Sequence, residues 1–373
     1  MKDDKEEWYI INRINDLDSP ALAIYEERVK YNIEKAIEIV GDVQRLRPHI
    51  KTSKSKEAIL LMKKAGITKF KCATIAEADL LGMTGVKDVL LAYQPTGPKL
   101  TRFISVIKDF TQTSFACLVD NMASANEISN VAELNYLQIK VYIDVNVGMN
   151  RTGIKLGKDA INLFLYCSQL NGIHPVGFHI YDGHIHDADL FIRKQKINTT
   201  IEEINGMKKE LRSKGFKDLI IVAGGTPTFP AYAEYKEVEC SPGTFIYWDE
   251  GYKENFKEQG FLPAAVVISR IISIPERDLL TIDLGHKSIA SENSITKRVV
   301  FINAPDLVPV SHSEEHMVLR SQGAHSFKIG DVLYGIPYHI CPTIALYERA
   351  SIIKKGQIIT EWKNEARDRL IEH

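Results

Sequence analysis

The 373-residue sequence predicts an α/β protein, namely a (β/α)8 TIM barrel followed by a second, mostly β domain. From about residue 20 to 250, short strand-like runs alternate with stretches of helical periodicity. Eight such runs over roughly 230 residues match the size and strand count of a closed barrel. After about residue 260 the helical periodicity largely ends, and strand-like runs are separated by turns. An open, doubly wound sheet is the alternative for the first part, since alternation alone does not determine closure.

The predicted elements follow from local composition and spacing. The barrel strands are expected at 47–51, 70–74, 88–93, 114–119, 138–145, 174–180, 219–223 and 237–247. Helical spacing of apolar residues predicts helices at 54–66, 157–170 and 188–214, the last as one long helix or a broken pair. The expected domains are 19–260 for the barrel and 261–373, together with 1–18, for the β-rich domain.

Composition and charge narrow the classes of function. Lys and Arg total 47 and Asp and Glu total 48, so the net charge of −1 creates no strong field to hold nucleic acid or an acidic membrane. The first seven residues, MKDDKEE, lack the apolar core of a signal peptide, and no later stretch could span a bilayer. Five scattered cysteines indicate free thiols in a reducing compartment. We therefore expect a cytoplasmic protein without nucleic-acid or membrane partners.

Lys51 is the leading catalytic candidate, because a (β/α)8 barrel places its chemistry at the carboxyl ends of its strands. It closes the first predicted strand, beside Arg47 and His49. Burial and cationic neighbours lower the pKa of a lysine ammonium, which frees the amine to form a Schiff base. The alternative is a solvated surface lysine, as most lysines are.

The loops after later strands carry further candidates. Arg151 follows the fifth strand between two glycine turns, where its guanidinium could hold a phenolate or carboxylate oxygen. A surface arginine is the alternative. Tyr181, His184 and His186 follow the sixth strand in the segment HIYDGHIHD. Polar and glycine-rich residues thus gather at one end of the predicted barrel.

The loops after the seventh and eighth strands are expected to bind a phosphate group. Their glycines let backbone N–H groups approach an anion closely, and their threonine hydroxyls add donors. The residues concerned are Gly224, Gly225, Thr226, Thr228 and Thr244. Two ordinary Gly/Pro turns would account for the same residues equally well.

His339 and Cys341 are candidate metal ligands. They lie two residues apart in a segment, 332–343, that reads as β-like, so both side chains would point to one face of a strand. Nitrogen and sulfur together suit zinc, and two protein ligands leave positions for water and substrate. A structural His and Cys pair is the alternative.

Arg47-Pro-His-Ile-Lys51-Thr resembles the Schiff-base segment of the D-threonine aldolase and eukaryotic-type D-serine dehydratase family. The resemblance continues in order through DSPAL at 18–22, GMNRTG at 148–153, YDGH at 181–184, PGTF at 242–245, SEEH at 313–316 and HICPT at 339–343. It implies a fold-type III pyridoxal 5′-phosphate (PLP) enzyme with an alanine-racemase-like barrel. It also implies a C-terminal β domain and a homodimer whose sites include residues of both subunits.

The resemblance implies that three residues contact the ring end of PLP. Lys51 would carry the cofactor as a Schiff base, Arg151 would face its phenolic oxygen, and Tyr181 would lie near its ring. The loops at 224–228 and 243–244, with Gly243 and Thr244, would hold the phosphate.

The same resemblance gives the predicted metal site its role. His339 and Cys341 would bind a divalent ion, Zn²⁺ or Mn²⁺, that polarises the 3-hydroxyl of a D-amino-acid substrate. The family usually has His where this chain has Ser53, and Gln where it has His179. The segment 184–187, with His184 and His186, also carries an extra histidine, which could be a base or a ligand. These departures lie near the reacting carbon, so they bear on the substrate more than on the cofactor.

The function implied first is D-threonine aldolase, which cleaves its substrate to glycine and an aldehyde. D-serine dehydratase, which yields pyruvate and ammonia, comes second. An amino-acid racemase would need a second acid or base on the opposite face and no metal. A non-catalytic PLP carrier would resemble the barrel alone, whereas this chain has a second domain with candidate ligands.

Overall fold

The computed structural model describes residues 7–369, which divide into two compact units. The β unit consists of the residues up to Lys35, Thr52–Glu57 and Thr244–Arg367. The barrel unit consists of Ala36–Lys51, Ala58–Gly243 and the residues from Asp368. Within the described part of the chain, no helix combines the length and apolar character needed to cross a membrane.

The elements are numbered in chain order. The strands of residues 7–369 are β1 Ala21–Tyr25, β2 Lys69–Cys72, β3 Asp88–Leu91, β4 Ser114–Val119, β5 Ile139–Asn146, β6 Ile154–Lys155, β7 Ile173–Ile180, β8 Ile220–Ala223, β9 Val238–Cys240, β10 Ala265–Glu276, β11 Leu279–Ile282, β12 Val299–Phe301, β13 Leu307–His312, β14 Met317–Ser321, β15 Val332–Pro337, β16 Arg349–Lys354 and β17 Gln357–Lys363. The α-helices are α1 Glu26–Val40, α2 Lys56–Lys64, α3 Ile75–Met83, α4 Pro98–Asp109, α5 Met122–Leu134, α6 Lys158–Cys167, α7 Leu190–Ser213, α8 Phe229–Tyr232, α9 Glu250–Asn255 and α10 Ile340–Leu346.

The barrel unit is built on a parallel sheet with the strand order β2-β3-β4-β5-β7-β8-β9. The segment 46–49 closes this sheet, because Leu46 forms a parallel bridge with Cys240 of β9 and His49 forms one with Lys71 of β2. We call this segment and its hydrogen bonds to both neighbours the seam. With the seam as the eighth member, the predicted α/β barrel is confirmed.

The predicted barrel strands correspond to the observed ones with two exceptions. The first, at 47–51, is not a continuous strand, because Pro48 has no N–H to donate to a ladder and the chain turns at Ile50. The last, at 237–247, ends early, since β9 stops at Cys240 and residues 244–246 form a 3₁₀ helix. The predicted helices at 54–66 and 157–170 are α2 and α6, and 188–214 is the single long helix α7.

Two kinds of contact fill the barrel. An apolar cluster joins strands β3, β4, β5 and β8 and consists of Leu90, Ala116, Leu118, Tyr142 and Val222. A charged group lies at the seam, where the fully buried Arg47 guanidinium donates to Glu239 Oε2 at 2.7 Å and to Asp88 Oδ1 at 2.5 Å. A guanidinium removed from water needs such partners, because an unpaired buried charge is strongly destabilising.

The β unit contains a mixed sheet with the order β13-β14-β11-β10-β1-β16-β17, and β15 pairs with both β10 and β12. The predicted mostly β second domain is therefore confirmed. The boundaries expected from sequence, 19–260 and 261–373 with 1–18, assign β1 to the barrel. Its hydrogen bonds assign it to this sheet, since Ala21–Tyr25 pairs antiparallel with β10 and parallel with β16. None of the five cysteines, all of which lie in the described range, forms a disulfide.

Candidate active site

Tyr181 forms the centre of the candidate site in the barrel unit. Its ring lies under two cations, with Lys51 Nζ 5.9 Å and Arg151 Cζ 4.7 Å from the ring centroid. A Cβ placed on Gly225 would lie 3.2 Å from Tyr181 Cε2, so the glycine loop after β8 approaches the same ring closely. We call these four residues the Tyr181 cluster. The structure thus brings together residues predicted from the loops after four different strands.

The loop that carries Arg151 is held by its own polar groups. Asn146 Oδ1 accepts hydrogen bonds from the backbone N–H groups of Gly148 at 3.0 Å and Asn150 at 3.1 Å. Gly153 has a φ of +101°, and a Cβ there would lie 2.6 Å from the Asn146 nitrogen, so only glycine fits. These contacts constrain the backbone of the loop that carries Arg151, and the Gly153 N–H also donates to Asp120 Oδ2 at 3.1 Å, outside the loop.

The predicted phosphate loop has an internal hydrogen-bond arrangement. The Thr228 hydroxyl donates to Asp182 Oδ1 at 2.8 Å and accepts from the Gly225 N–H at 3.2 Å. The Thr226 hydroxyl accepts from the Gly243 N–H at 3.0 Å. The Thr228 proton is therefore committed to Asp182, and this hydroxyl shapes the loop instead of presenting a free proton. Its predicted contact with a phosphate stays a prediction.

Gly224 is required by the same loop. Its φ of +78° lies in the left-handed region, and a Cβ would lie 2.8 Å from the Tyr232 ring. Thr244, the remaining phosphate candidate, is the first residue of the segment Thr244–Arg367 of the β unit, and its hydroxyl lies 3.5 Å from Cys341 Sγ. Its predicted phosphate contact also stays a prediction.

His184 and His186 follow β7 and are both exposed. A Cβ placed on Gly148 would lie 2.9 Å from His184 Nε2, so His184 packs against the loop that carries Arg151. His184 thus contacts the loop that carries Arg151, a member of the Tyr181 cluster. Their catalytic roles stay predictions.

Sequence reasoning missed Lys71, a buried lysine on β2. Burial, and then the charge of Lys51, lower the pKa of Lys71 to about 7, although Asp182 and Asp144 act in the opposite direction. The signal was present in the pattern KFKC, where a lysine stands at a position that faces the barrel interior. Because Lys71 is buried and interacts electrostatically with Lys51, it belongs to the candidate site.

The sequence pattern also gave no indication that His179 and Asp144 form a buried pair. His179 Nδ1 lies 2.8 Å from Asp144 Oδ1, and the two residues are direct neighbours in the register of β5 and β7. Burial lowers the pKa of His179, and Asp144 only partly opposes this. Burial raises the pKa of Asp144, but hydrogen bonds from His179, Thr152 and Gln94 lower it overall. The pair thus consists of a neutral imidazole that is hydrogen-bonded to a carboxylate.

The candidate metal ligands lie in the β unit, but not on a strand as predicted. Strand β15 ends at Pro337, His339 is the N-cap residue of α10, and Cys341 lies in the first turn of this helix. The reason is local, since Pro342 is acceptable in the first turn of a helix but cannot donate within a strand ladder. The β-like reading of 332–343 is therefore wrong beyond Pro337.

The two side chains nevertheless interact with each other and with a small polar set. Burial lowers the pKa of His339, but its contacts with Cys341 and Glu292 raise it to about 9. His339 Nδ1 lies 2.5 Å from Glu292 Oε1, and Cys341 Sγ lies 3.0 Å from Thr52 Oγ1. Within residues 7–369, no set of three or more His, Cys, Asp or Glu side chains is arranged to hold a metal. Two protein ligands fit only an open site that water or substrate completes.

Residues 24–250, more than half of the chain, match the family model described as alanine racemase, N-terminal domain. The chain belongs to this family. Residues 264–353 match a model described as a putative serine dehydratase domain. The chain is 24% identical to D-threonine aldolase of Arthrobacter sp over 86% of this chain and 85% of that protein. It is 22% identical to D-threo-3-hydroxyaspartate dehydratase of Delftia sp. (strain HT23) over 93% and 97% of the two chains.

Solved structures show the same fold. D-threonine aldolase from Filomicrobium marinum has a TM-score of 0.86 at 22% identity and covers 95% of this chain and 97% of its own. Two alanine mutants of D-threo-3-hydroxyaspartate dehydratase have TM-scores of 0.81 and 0.80 at 20% identity, and cover 95% of this chain and 96% and 99% of their own. One replaces a histidine and the other, in the metal-free form, a cysteine two positions later. The predicted family and fold are confirmed.

Lys71→Met is expected to stabilise the protein in a pH-dependent way. Because the pKa of Lys71 is about 7 in the folded state and about 10.4 in an unfolded chain, folding disfavours its protonated form. This cost is complete below pH 7 and disappears as the pH approaches 10. We expect the substitution to raise the free energy of unfolding by on the order of a few kcal/mol at pH 6 and by much less at pH 9.

Urea unfolding of both proteins at the two pH values measures this difference. Lys140→Met, which replaces an exposed lysine on β5, is the matched control and should change stability equally at both. An equal effect of Lys71→Met at pH 6 and pH 9 would contradict the assignment of a lowered pKa.

Proposed function

We propose that this protein is a PLP- and divalent-metal-dependent lyase that acts on D-3-hydroxy amino acids. The observation that carries the proposal is the Tyr181 cluster, in which an amine, a guanidinium, an aromatic ring and a glycine loop converge. Curated relatives that cover most of this chain act as D-threonine aldolase, 3-hydroxy-D-aspartate aldolase and D-threo-3-hydroxyaspartate dehydratase. These names describe two aldolases and a dehydratase, each with a D-3-hydroxy amino acid as its substrate, and this class of substrate is the one we propose.

The residues of the cluster fit the chemical groups of PLP. Lys51 Nζ would hold the cofactor covalently, and the Arg151 guanidinium would pair with its phenolic oxygen. The ring of Tyr181 offers a face for the pyridine ring, and Gly224 and Gly225 leave room for a phosphate near backbone N–H groups. When bound, PLP supplies an electron sink for the charge that develops at the substrate's α carbon.

The side chains of this protein would then divide the proton transfers. In cleavage of the Cα–Cβ bond, a base must accept the proton of the 3-hydroxyl, and His184 and His186 are the proposed candidates. In dehydration, Lys51 Nζ would instead accept the proton from Cα. The reaction is therefore decided by which proton has a base within reach.

His339 and Cys341 would hold the divalent ion, for which we propose Zn²⁺ or Mn²⁺. An imidazole and a thiol together suit zinc, and an open site leaves room for oxygen ligands. Such an ion supplies Lewis-acid stabilisation of a developing alkoxide or leaving hydroxide. The mutants of the dehydratase relative support the proposal, since its mutated histidine and cysteine have the same spacing as His339 and Cys341.

D-threonine aldolase is the activity we propose first. D-serine dehydratase is the second candidate, and it is favoured by the match of residues 264–353 to a serine dehydratase domain. A racemase is less well supported, because the curated relatives named above are lyases. We propose in addition that the protein acts as a cytoplasmic homodimer.

Product analysis separates these activities. With D-threonine we expect glycine and acetaldehyde, and with D-serine at most a slow release of pyruvate and ammonia. L-Threonine and L-serine are the controls, and D-3-hydroxyaspartate extends the panel to a second acidic group. Pyruvate from D-serine as the main product would instead establish the dehydratase. Conversion of D-threonine to its α-epimer without cleavage would contradict the proposal of a lyase.

Metal removal tests the role of the β unit. Treatment with a chelator is expected to abolish turnover, and Zn²⁺ or Mn²⁺ should restore it. His339→Ala should lower both bound metal and activity by about 10- to 100-fold, because the proposed site has only two protein ligands and one of them is lost. His174→Ala, which replaces an exposed histidine of β7, is the control. Full activity and metal content in His339→Ala would contradict the proposed metal site.

A further inference from the structure

His179 presents a single hydrogen-bonding group to the interior of the barrel. It is 4% exposed, and its Nδ1 lies 2.8 Å from Asp144 Oδ1. Since the Asp144 carboxyl has a lowered pKa and His179 is a neutral imidazole, the ring proton resides on Nδ1 and is donated to the carboxylate. Nε2 is thereby left as an acceptor.

This acceptor has no hydrogen-bond partner among the described residues. A buried polar atom without a partner is destabilising, so a donor is expected to reach it when the site is complete. Besides the Asp144 carboxylate, two cations act on the imidazole, namely Lys71 and Arg151. One of these two cations is the expected donor.

Arg151 is the better candidate. Lys71 is already acted on by two carboxylates, Asp182 and Asp144. Arg151, in contrast, forms no ion pair with any residue in the described range and carries five N–H donors. Its neighbour Thr152 hydrogen-bonds to Asp144, so the Arg151 loop is attached to the carboxylate that holds His179.

We propose that His179 is a positioning residue for Arg151. Its Nε2 accepts a hydrogen bond from the Arg151 guanidinium, and Asp144 fixes the imidazole tautomer that makes this possible. The resulting chain, Asp144 to His179 to Arg151, holds the guanidinium where it meets the cofactor. The inference rests on the proposed function, because the cofactor that Arg151 meets is PLP.

Position 179 then requires a side chain with two hydrogen-bonding groups. The side chain must donate to Asp144 on one side and accept from Arg151 on the other. Glutamine provides a donor and an acceptor on one amide, so His179→Gln should bind PLP with an affinity within about threefold of the original. Leucine provides neither group, so His179→Leu should bind PLP about tenfold or more weakly, the loss of one hydrogen bond to a charged group.

A double-mutant cycle on PLP binding tests the pairing directly. The protein is stripped of cofactor and titrated with PLP, and the dissociation constant is read from the visible absorbance instead of from activity. The four proteins are the original chain, His179→Leu, Arg151→Ala and the double variant. We expect that His179→Leu weakens binding about tenfold alone but less than about twofold when Arg151 is already Ala. His174→Leu, on the exposed end of the same strand, should leave binding unchanged.

The contrary results are distinct. Additive effects of His179→Leu and Arg151→Ala would overturn the inference, as would coupling of His179→Leu to Lys71→Met in place of Arg151→Ala. If His179→Leu does not fold, Asp144→Asn replaces it in the cycle, because an amide does not enforce the tautomer, and the same coupling is expected. Failure of the original chain to bind PLP would overturn the proposed function itself, whereas normal binding with additive effects would overturn only the role of His179.

Discussion

The seam between β9 and β2 is the constraint on which the candidate site depends. Here the chain crosses the last gap of the barrel with only a few hydrogen bonds. The Arg47 N–H donates to the Cys240 carbonyl and the Lys71 N–H to the Pro48 carbonyl, both at 2.8 Å. The Ile50 N–H donates to the Lys71 carbonyl at 3.0 Å. Since Lys51 comes directly after Ile50, these bonds constrain where the Lys51 backbone lies.

The seam also joins the two ends of the proposed cofactor site. The His49 N–H donates to the Pro242 carbonyl at 2.8 Å, and Gly243, which follows Pro242, donates to Thr226 in the predicted phosphate loop. The same segment carries Arg47, whose buried guanidinium requires Glu239 and Asp88. A change in the charge of the seam would therefore disturb both Lys51 and the predicted phosphate loop. The geometry of the candidate site and the stability of the barrel therefore depend on the same few contacts.

The features that depend on strand order and strand ends were predictable from the sequence. Lys51, Arg151 and Tyr181 are among them, because parallel strands bring their carboxyl ends to one edge. The pairing of His179 with Asp144 was not predictable, because it depends on the register of two strands, which an apolar pattern leaves open. The partners of β1 lie more than 200 residues away in β10 and β16, so no local signal assigns it to the β unit. The helical start at His339 was hidden by the strand-like residues that precede it.

The position of one covalent bond tests the proposed role of Lys51, and with it the cofactor site, most directly. The protein is incubated with PLP, reduced with borohydride and digested, and the modified peptide is identified by mass spectrometry. We predict that the reduced adduct is on Lys51 and that Lys51→Ala acquires none. An adduct on another lysine of the original chain, such as Lys71, or a Lys51→Ala protein that still binds PLP covalently, would contradict this role.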